Sequence, residues 1–296
     1  MSASNDFKVY LFGLQSKSVV NIKQVSMPEC CAASEHYFAV CSFDTGVHVF
    51  SRDGSLVTAI VEAENASSVA FHPFLPILAA GKHDGTVWLW DLHMQKEVSR
   101  FPAHQQALFG MSFTSDGRLL LSSRDKTASI ITFDESHQRS SQIMLKGHTN
   151  FVTDILQLPN SNQCVTCSHD MTLRVWDSRS GEFQHTLSQH SERVFCLALH
   201  SNRKLFASGS YDESVIVWSA DTFELLLRIG FPQEIDQIAF GLDDTLYAGV
   251  YMHGVMPCNV ITGKVGHIEV EAYANIFGLT RSMSLVHSLL FRRCYS

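Results

Sequence analysis

The stretch CVTCSHDMTLRVWDSR, residues 164–179, decides how this chain folds. It places Asp170 six residues before a large apolar residue, Trp176. Between them, LRVW is short, apolar and rich in strand-forming residues. Asp170 sits just ahead of it, where a carboxylate can accept backbone N–H bonds in a tight turn. CVTCS, before the Asp, is a second short apolar strand.

The same frame recurs on both sides. GKHDGTVWLWD (81–91), SSRDKTASIIT (122–132) and GSYDESVIVWS (209–219) give the pairs Asp84/Trp90, Asp125/Ile131 and Asp212/Trp218, and SFDTGVHVFS adds Asp44/Phe50. Counted on the second member of each pair, the copies step by 40, 41, 45 and 42 residues. That period is the one expected of four-stranded propeller blades. Around Trp218 the four strands read VFCLALH, LFASGS, VIVW and LLLRI. Beyond it, IDQIAFG, TLYAGV, GVMPCN and GKVGHIEV predict a sixth unit, with Met252 and Cys258 in the Asp and Trp places. At the other end, Asp6 precedes Phe12 by six residues within DFKVYLF, and SVVNIKQV follows. The expected fold is therefore all-β. It is a single domain over 1–296, a seven-bladed β-propeller of four-stranded antiparallel blades. Its closing blade is built from residues 6–25 and 275–291. Such closure removes exposed strand edges. A ring of six blades is the alternative.

These residues resemble the WD-repeat (WD40) family. Gly147, His148, Asp170, Trp176 and Asp177 nearly complete its pattern in one unit. The resemblance implies two hydrogen-bonded tetrads, His148, Thr166, Asp170 and Trp176, and His190, Ser208, Asp212 and Trp218. Their physical logic is satisfaction: a partly buried indole N–H, imidazole and carboxylate each need partners. A third unit keeps His104 and Asp125, with Leu121 and Ile131 where the hydroxyl and the indole would stand. The resemblance also implies a partner face. It is formed by the residue before each turn Asp and by residues that open the innermost strands. The first set is Phe43, His83, Arg124, His169 and Tyr211; the second includes Phe151 and Arg193. Aromatic residues and Arg carry much interface energy, and Arg grips carboxylate or phosphate bidentately.

The expected function is thus that of a scaffold or adaptor in a multiprotein complex. Its partners would be proteins, held by peptide segments with acidic or phosphorylated and apolar residues. The stretch quoted first also resembles the box, ending Trp-Asp-x-Arg, of substrate receptors of cullin-4 ubiquitin ligases. That alternative would give Asp170, Trp176, Asp177 and Arg179 a role in adaptor binding.

Composition narrows the other classes. A formal net charge of −7 provides no general attraction to nucleic acid, so no direct nucleic-acid partner is expected. With 45% hydrophobic and 17% charged residues the chain can fill a large core. No run of about 18 apolar residues predicts a membrane span. MSASNDFKVY has neither the basic nor the apolar region of a secretory signal. The eight cysteines are scattered through predicted strands, which fits reduced thiols in the cytoplasm or nucleus. Cys164 and Cys167 have CxxC spacing but no second pair, and zinc needs about four converging ligands, so no metal is expected. Neither a phosphate-binding loop nor a GxSxG elbow occurs. The chain is expected not to be an enzyme and to need no cofactor.

Overall fold

A computed structural model of the chain describes residues 8–13, 19–22, 28–159, 161–200, 204–241, 244–266 and 287–292. Apart from a single 3-10 turn at Val61–Ala63, every regular element among them is a strand. Six antiparallel sheets follow one another along the chain. Blade 1 consists of Pro28–Ala33, Tyr37–Ser42, Gly46–Ser51 and Leu56–Ile60. Blade 2 consists of Ala66–Phe71, Ile77–Lys82, Thr86–Asp91 and Lys96–Pro102. Blade 3 consists of Leu108–Phe113, Leu119–Ser123, Thr127–Phe133 and Arg139–Lys146. Blade 4 consists of Val152–Gln157, Gln163–Ser168, Leu173–Asp177 and Phe183–Leu187. Blade 5 consists of Val194–Leu199, Leu205–Ser210, Ser214–Ser219 and Leu225–Gly230. Blade 6 has three described strands, Ile235–Phe240, Thr245–Val250 and Gly254–Asn259. In each blade the strands pair in chain order, and the first strands of successive blades pack side by side around a central channel.

The propeller and its antiparallel blades are as the sequence leads one to expect. The blade count is corrected: six successive sheets form the ring, the smaller of the two expected numbers, and seven is not confirmed. The reason lies at the ends of the chain. Lys8–Gly13 pairs with Val19–Ile22 on one side and with His287–Arg292 on the other, making a further sheet of three described strands. His287–Arg292 also lies against the first strand of blade 1. The rest of the expected closing blade, including Asp6 and residues 275–286, lies outside the described residues, as does the second half of GKVGHIEV.

The core sits between blades. Leu156, Val165 and Val175 of blade 4 meet Leu197, Phe206 and Trp218 of blade 5 in one buried cluster. Ala39 and Val49 of blade 1 likewise meet Val69 and Leu78 of blade 2. Period-2 alternation puts one face of each strand against each neighbour, so both faces are apolar. Full burial of a side chain such as that of Trp218 contributes about 1.5–3 kcal/mol. Hydrogen bonds also cross between inner strands. The Ser67 hydroxyl donates to the Leu108 carbonyl (2.6 Å), and the Thr153 hydroxyl to that of Val194 (2.8 Å). The Leu197 N–H donates to Asp154 Oδ2 (2.8 Å).

The structure brings His148, Thr166, Asp170 and Trp176 together. Asp170 Oδ2 lies 2.8 Å from His148 Nδ1, which must donate because a carboxylate only accepts. The Thr166 hydroxyl lies 2.8 Å from His148 Nε2 and accepts the Trp176 N–H at 2.8 Å. His190, Ser208, Asp212 and Trp218 repeat the arrangement at 2.8, 2.7 and 2.9 Å. Blade 3 solves the same problem with other residues. His104 Nδ1 meets Asp125 Oδ2 at 3.0 Å, while Nε2 meets the Ser129 hydroxyl at 2.8 Å. Ser129 sits directly opposite Leu121 in the sheet, so the hydroxyl has moved one strand outward. The Gln142 amide donates to Ser129 at 3.2 Å, in place of an indole N–H.

Blade 2 has no such substitute. Trp90 Nε1 is buried without a hydrogen-bond partner, and Ala80 occupies the place that Thr166 holds before Trp176. Ala80→Ser is expected to raise the thermal midpoint by a few degrees, since one restored hydrogen bond is worth about 1 kcal/mol. Scanning calorimetry that gave an unchanged or lower midpoint would show that the hydroxyl does not satisfy the indole.

Candidate functional site

The turn between the second and third strand of each blade carries the first set of expected face residues. A Ser two residues before the turn Asp caps it. Ser123, Ser168 and Ser210 accept the N–H of Asp125, Asp170 and Asp212 at 3.0–3.1 Å. The residue after the Asp is left-handed: Lys126, Met171 and Glu213 have φ of 72°, 68° and 61°. In blade 2 this place is Gly85, φ 84°, where an added Cβ would lie 2.1 Å from the His104 carbonyl oxygen. Glycine is required there for both reasons.

One backbone bond then joins the two residue sets. The N–H of the residue before the Asp donates to the carbonyl of the residue opening the innermost strand. Arg124 donates to Ala107, His169 to Phe151 and Tyr211 to Arg193, each at 2.9 Å. His83 donates to Asn65 at 3.0 Å and Tyr251 to Glu234 at 2.9 Å. Five blades thus carry adjacent pairs of side chains at the same height around the channel mouth.

Over blades 3 to 5 these side chains form a continuous aromatic arc. Phe109 and Phe151 have ring centroids 6.3 Å apart, Phe151 and His169 5.5 Å, and His169 and Phe195 4.9 Å. Phe195 stacks on Tyr211 at 4.5 Å with planes 4° apart. The Arg124 guanidinium lies 5.0 Å over the Phe151 ring. The Arg193 charge acts on both His169 and Tyr211, and both Arg residues are exposed. On the opposite flank Phe43 meets His83 edge-on at 5.4 Å, and His83 lies 3.8 Å from Glu29.

Charge is divided across the arc. Burial, with the Arg193 charge added, lowers the His169 pKa, so the ring is neutral at pH 7. Burial, with Asp236 and Glu234 adding to it, pushes the Tyr211 hydroxyl up to about 12. Burial and then Glu234 push Asp236 up to about 6. Blades 3 and 5 therefore present the cations Arg124 and Arg193, and blade 6 presents carboxylates. Phe109, Phe195, Glu234 and Tyr251 escaped the sequence reading. A period-2 step along the strand from Phe151 or Arg193 reaches the level of Phe109 and Phe195, and that step is the signal that finds them.

The box residues occupy three different settings. Asp170 and Trp176 are held within the tetrad described above. Asp177 Oδ1 accepts the N–H of Arg179 (2.9 Å) and of Ser180 (2.8 Å), capping the next turn. Arg179 is exposed. No group of three or more His, Cys, Asp or Glu among the described residues is placed to hold a metal ion. No described helix is long and apolar enough to cross a membrane.

Comparison with known proteins agrees with this architecture. The family described as WD domain, G-beta repeat, matches residues 54–91, 95–131, 139–177 and 181–219, more than half of the chain. The chain belongs to the WD-repeat family. Propellers of this family generally bind other proteins and are typically interaction platforms rather than enzymes. Nuclear distribution protein PAC1 of Komagataella phaffii is 27% identical over 190 residues, 59% of this chain and 38% of that protein. Apoptotic protease-activating factor 1 of Rattus norvegicus is 25% identical over 225 residues, 75% of this chain and 18% of that protein. Guanine nucleotide-binding protein subunit beta-like protein 1 of Mus musculus is 30% identical over 148 residues, 49% of this chain and 44% of that protein. The chain spans less than half the length of each of these relatives.

Proposed function

We propose that this chain is a scaffold within a multiprotein assembly and that its channel-mouth face holds a peptide segment of a partner. The segment carries an acidic or phosphorylated residue beside apolar ones. The observation that supports this most is the aromatic arc from Phe109 to Tyr211 with Arg124 set over Phe151. Rings offer apolar contact at low conformational cost, and a guanidinium already oriented against a ring loses less freedom when it binds an anion. Arg193 provides a second cation on the same arc. The reading places the protein in the cytoplasm or nucleus. The names of the nuclear distribution relatives support that placement.

The test is a peptide array of paired phosphorylated and unmodified sequences, probed with wild type and with an Arg124→Ala/Arg193→Ala double variant. Phosphorylated or acidic peptides should bind wild type and lose at least about tenfold in affinity to the variant, the loss of roughly 1.4 kcal/mol or more expected of an interface hot spot. Equal binding by both proteins, with the variant folded, would remove the two Arg residues from the site.

A further inference from the structure

Blade 1 holds two thiols in an unusual relation. Cys30, on its first strand, is directly opposite Cys41 on its second. Opposed residues of antiparallel strands have Cα atoms about 4.5–5.5 Å apart, inside the roughly 4.4–6.8 Å that a disulfide spans. Both side chains join the same apolar cluster between blades 1 and 2, and both thiols are reduced. Cys31 is opposite Val40 instead and has no place in that cluster. Cys164 and Cys167, the pair with CxxC spacing, share one strand and are not opposed.

The two sulfurs are not equivalent. Cys41 is fully buried, and burial raises its thiol pKa well above the ordinary value. Cys30 is half-buried and lines the central cavity, a space of about 210 Å³ also bounded by Phe71, Met111 and Phe113. Cys30 Sγ donates to the Cys31 carbonyl at 3.6 Å. The Cys41 side chain opposite it favours the charged form of the Cys30 sulfur, burial opposes that, and the Val69 backbone of blade 2 favours it again. The balance lowers the Cys30 pKa. A sulfur in that state, facing a cavity wide enough for small solutes, is a nucleophile with a resolving thiol directly opposite it in the sheet.

We propose that Cys30 and Cys41 are a redox pair that closes a cross-strand disulfide in blade 1 when Cys30 meets hydrogen peroxide in the central cavity. The Cys30 thiolate attacks one peroxide oxygen, the O–O bond breaks, and the leaving hydroxide takes a proton to become water. Cys30 is thereby oxidised to the sulfenic acid. The Cys41 sulfur then attacks the Cys30 sulfur, the S–O bond breaks, and a second water leaves with the Cys41 proton. Two thiols have given two electrons to one peroxide, which is reduced to two waters. The disulfide ties the channel strand Pro28–Ala33 to its neighbour Tyr37–Ser42.

The experiment uses the whole chain, reduced and freed of reductant, then treated with graded hydrogen peroxide, alkylated and mapped by peptide mass spectrometry. Alkylation should be lost at Cys30 and Cys41 together, with a linked peptide joining them, while Cys164, Cys196 and Cys258 remain alkylated. In a Cys41→Ser variant, dimedone present during oxidation should label Cys30. Oxidation that leaves Cys30 and Cys41 alkylatable, or that links Cys41 to Cys31, overturns the proposal. So does dimedone labelling that falls on another cysteine. The wild-type map stands whether or not the variant folds.

Discussion

Replacing Asp170 by alanine is expected to lower the thermal midpoint by roughly 6–12 °C, about 3 kcal/mol at about 2–4 °C per kcal/mol for a large domain. The carboxylate accepts from His148 Nδ1 at 2.8 Å, the Thr149 N–H at 3.0 Å, the Thr172 N–H at 3.1 Å and the Thr172 hydroxyl at 2.6 Å. His148 is buried, so its loss of a partner cannot be repaired by water. The Thr166 hydroxyl and the Trp176 indole then lose the ring that holds their geometry. Asp84 occupies the same place in blade 2 and is the control. It is exposed and accepts the Thr86 N–H at 2.9 Å, and among the described residues no histidine hydrogen-bonds to it. Asp84→Ala is therefore expected to shift the midpoint by only a degree or two, under about 1 kcal/mol. Equal effects of the two substitutions in calorimetry would mean that the turn, not the histidine network, accounts for the stability.

The second large effect is expected in acid. Burial raises the pKa of Asp125, Asp170 and Asp212, but their His partners, the Thr127, Thr172 and Ser214 hydroxyls and backbone N–H groups outweigh it. All three carboxyls end well below the usual range. Folding lowers these values, so their stabilisation is fully present above the unfolded pKa of about 4 and is lost as pH falls through the lowered values. Urea midpoints should hold steady through the pH region just above that value and then drop steeply below about pH 4. An Asp170→Asn variant, which keeps the shape but removes one titrating group, should start lower and fall less steeply. Parallel profiles for variant and wild type would exclude Asp170 as one of the groups responsible.

How much of this was legible follows from what each feature depends on. Spacing carried the blades, because Asp44, Asp84, Asp125, Asp170 and Asp212 each fix a turn through backbone geometry that few residues support. The tetrad residues of blades 4 and 5 could be named because each sits at a fixed offset from its Trp. Blade 3 could not be read that way. Ser129 reaches His104, and Gln142 reaches Ser129, from strands on which no motif requires them, and only the register against Leu121 reveals the substitution. The aromatic arc was half visible: Phe151 and Tyr211 stand at marked positions, whereas Phe109 and Phe195 depend on how neighbouring blades lean toward one another. Seven blades were not confirmed for a related reason. Pairing between the two ends of the chain is set by long-range contact, and the 281–296 tail lacks the small-residue strand and Asp turn that mark the other units.

The backbone bond from the residue before each turn Asp to the carbonyl of the strand-opening residue separates two kinds of information. The main chain at these places is fixed by bonds that any amino acid other than proline can make. Side chains at Arg124, His169 and Tyr211 can thus vary on a main-chain frame that does not depend on their identity.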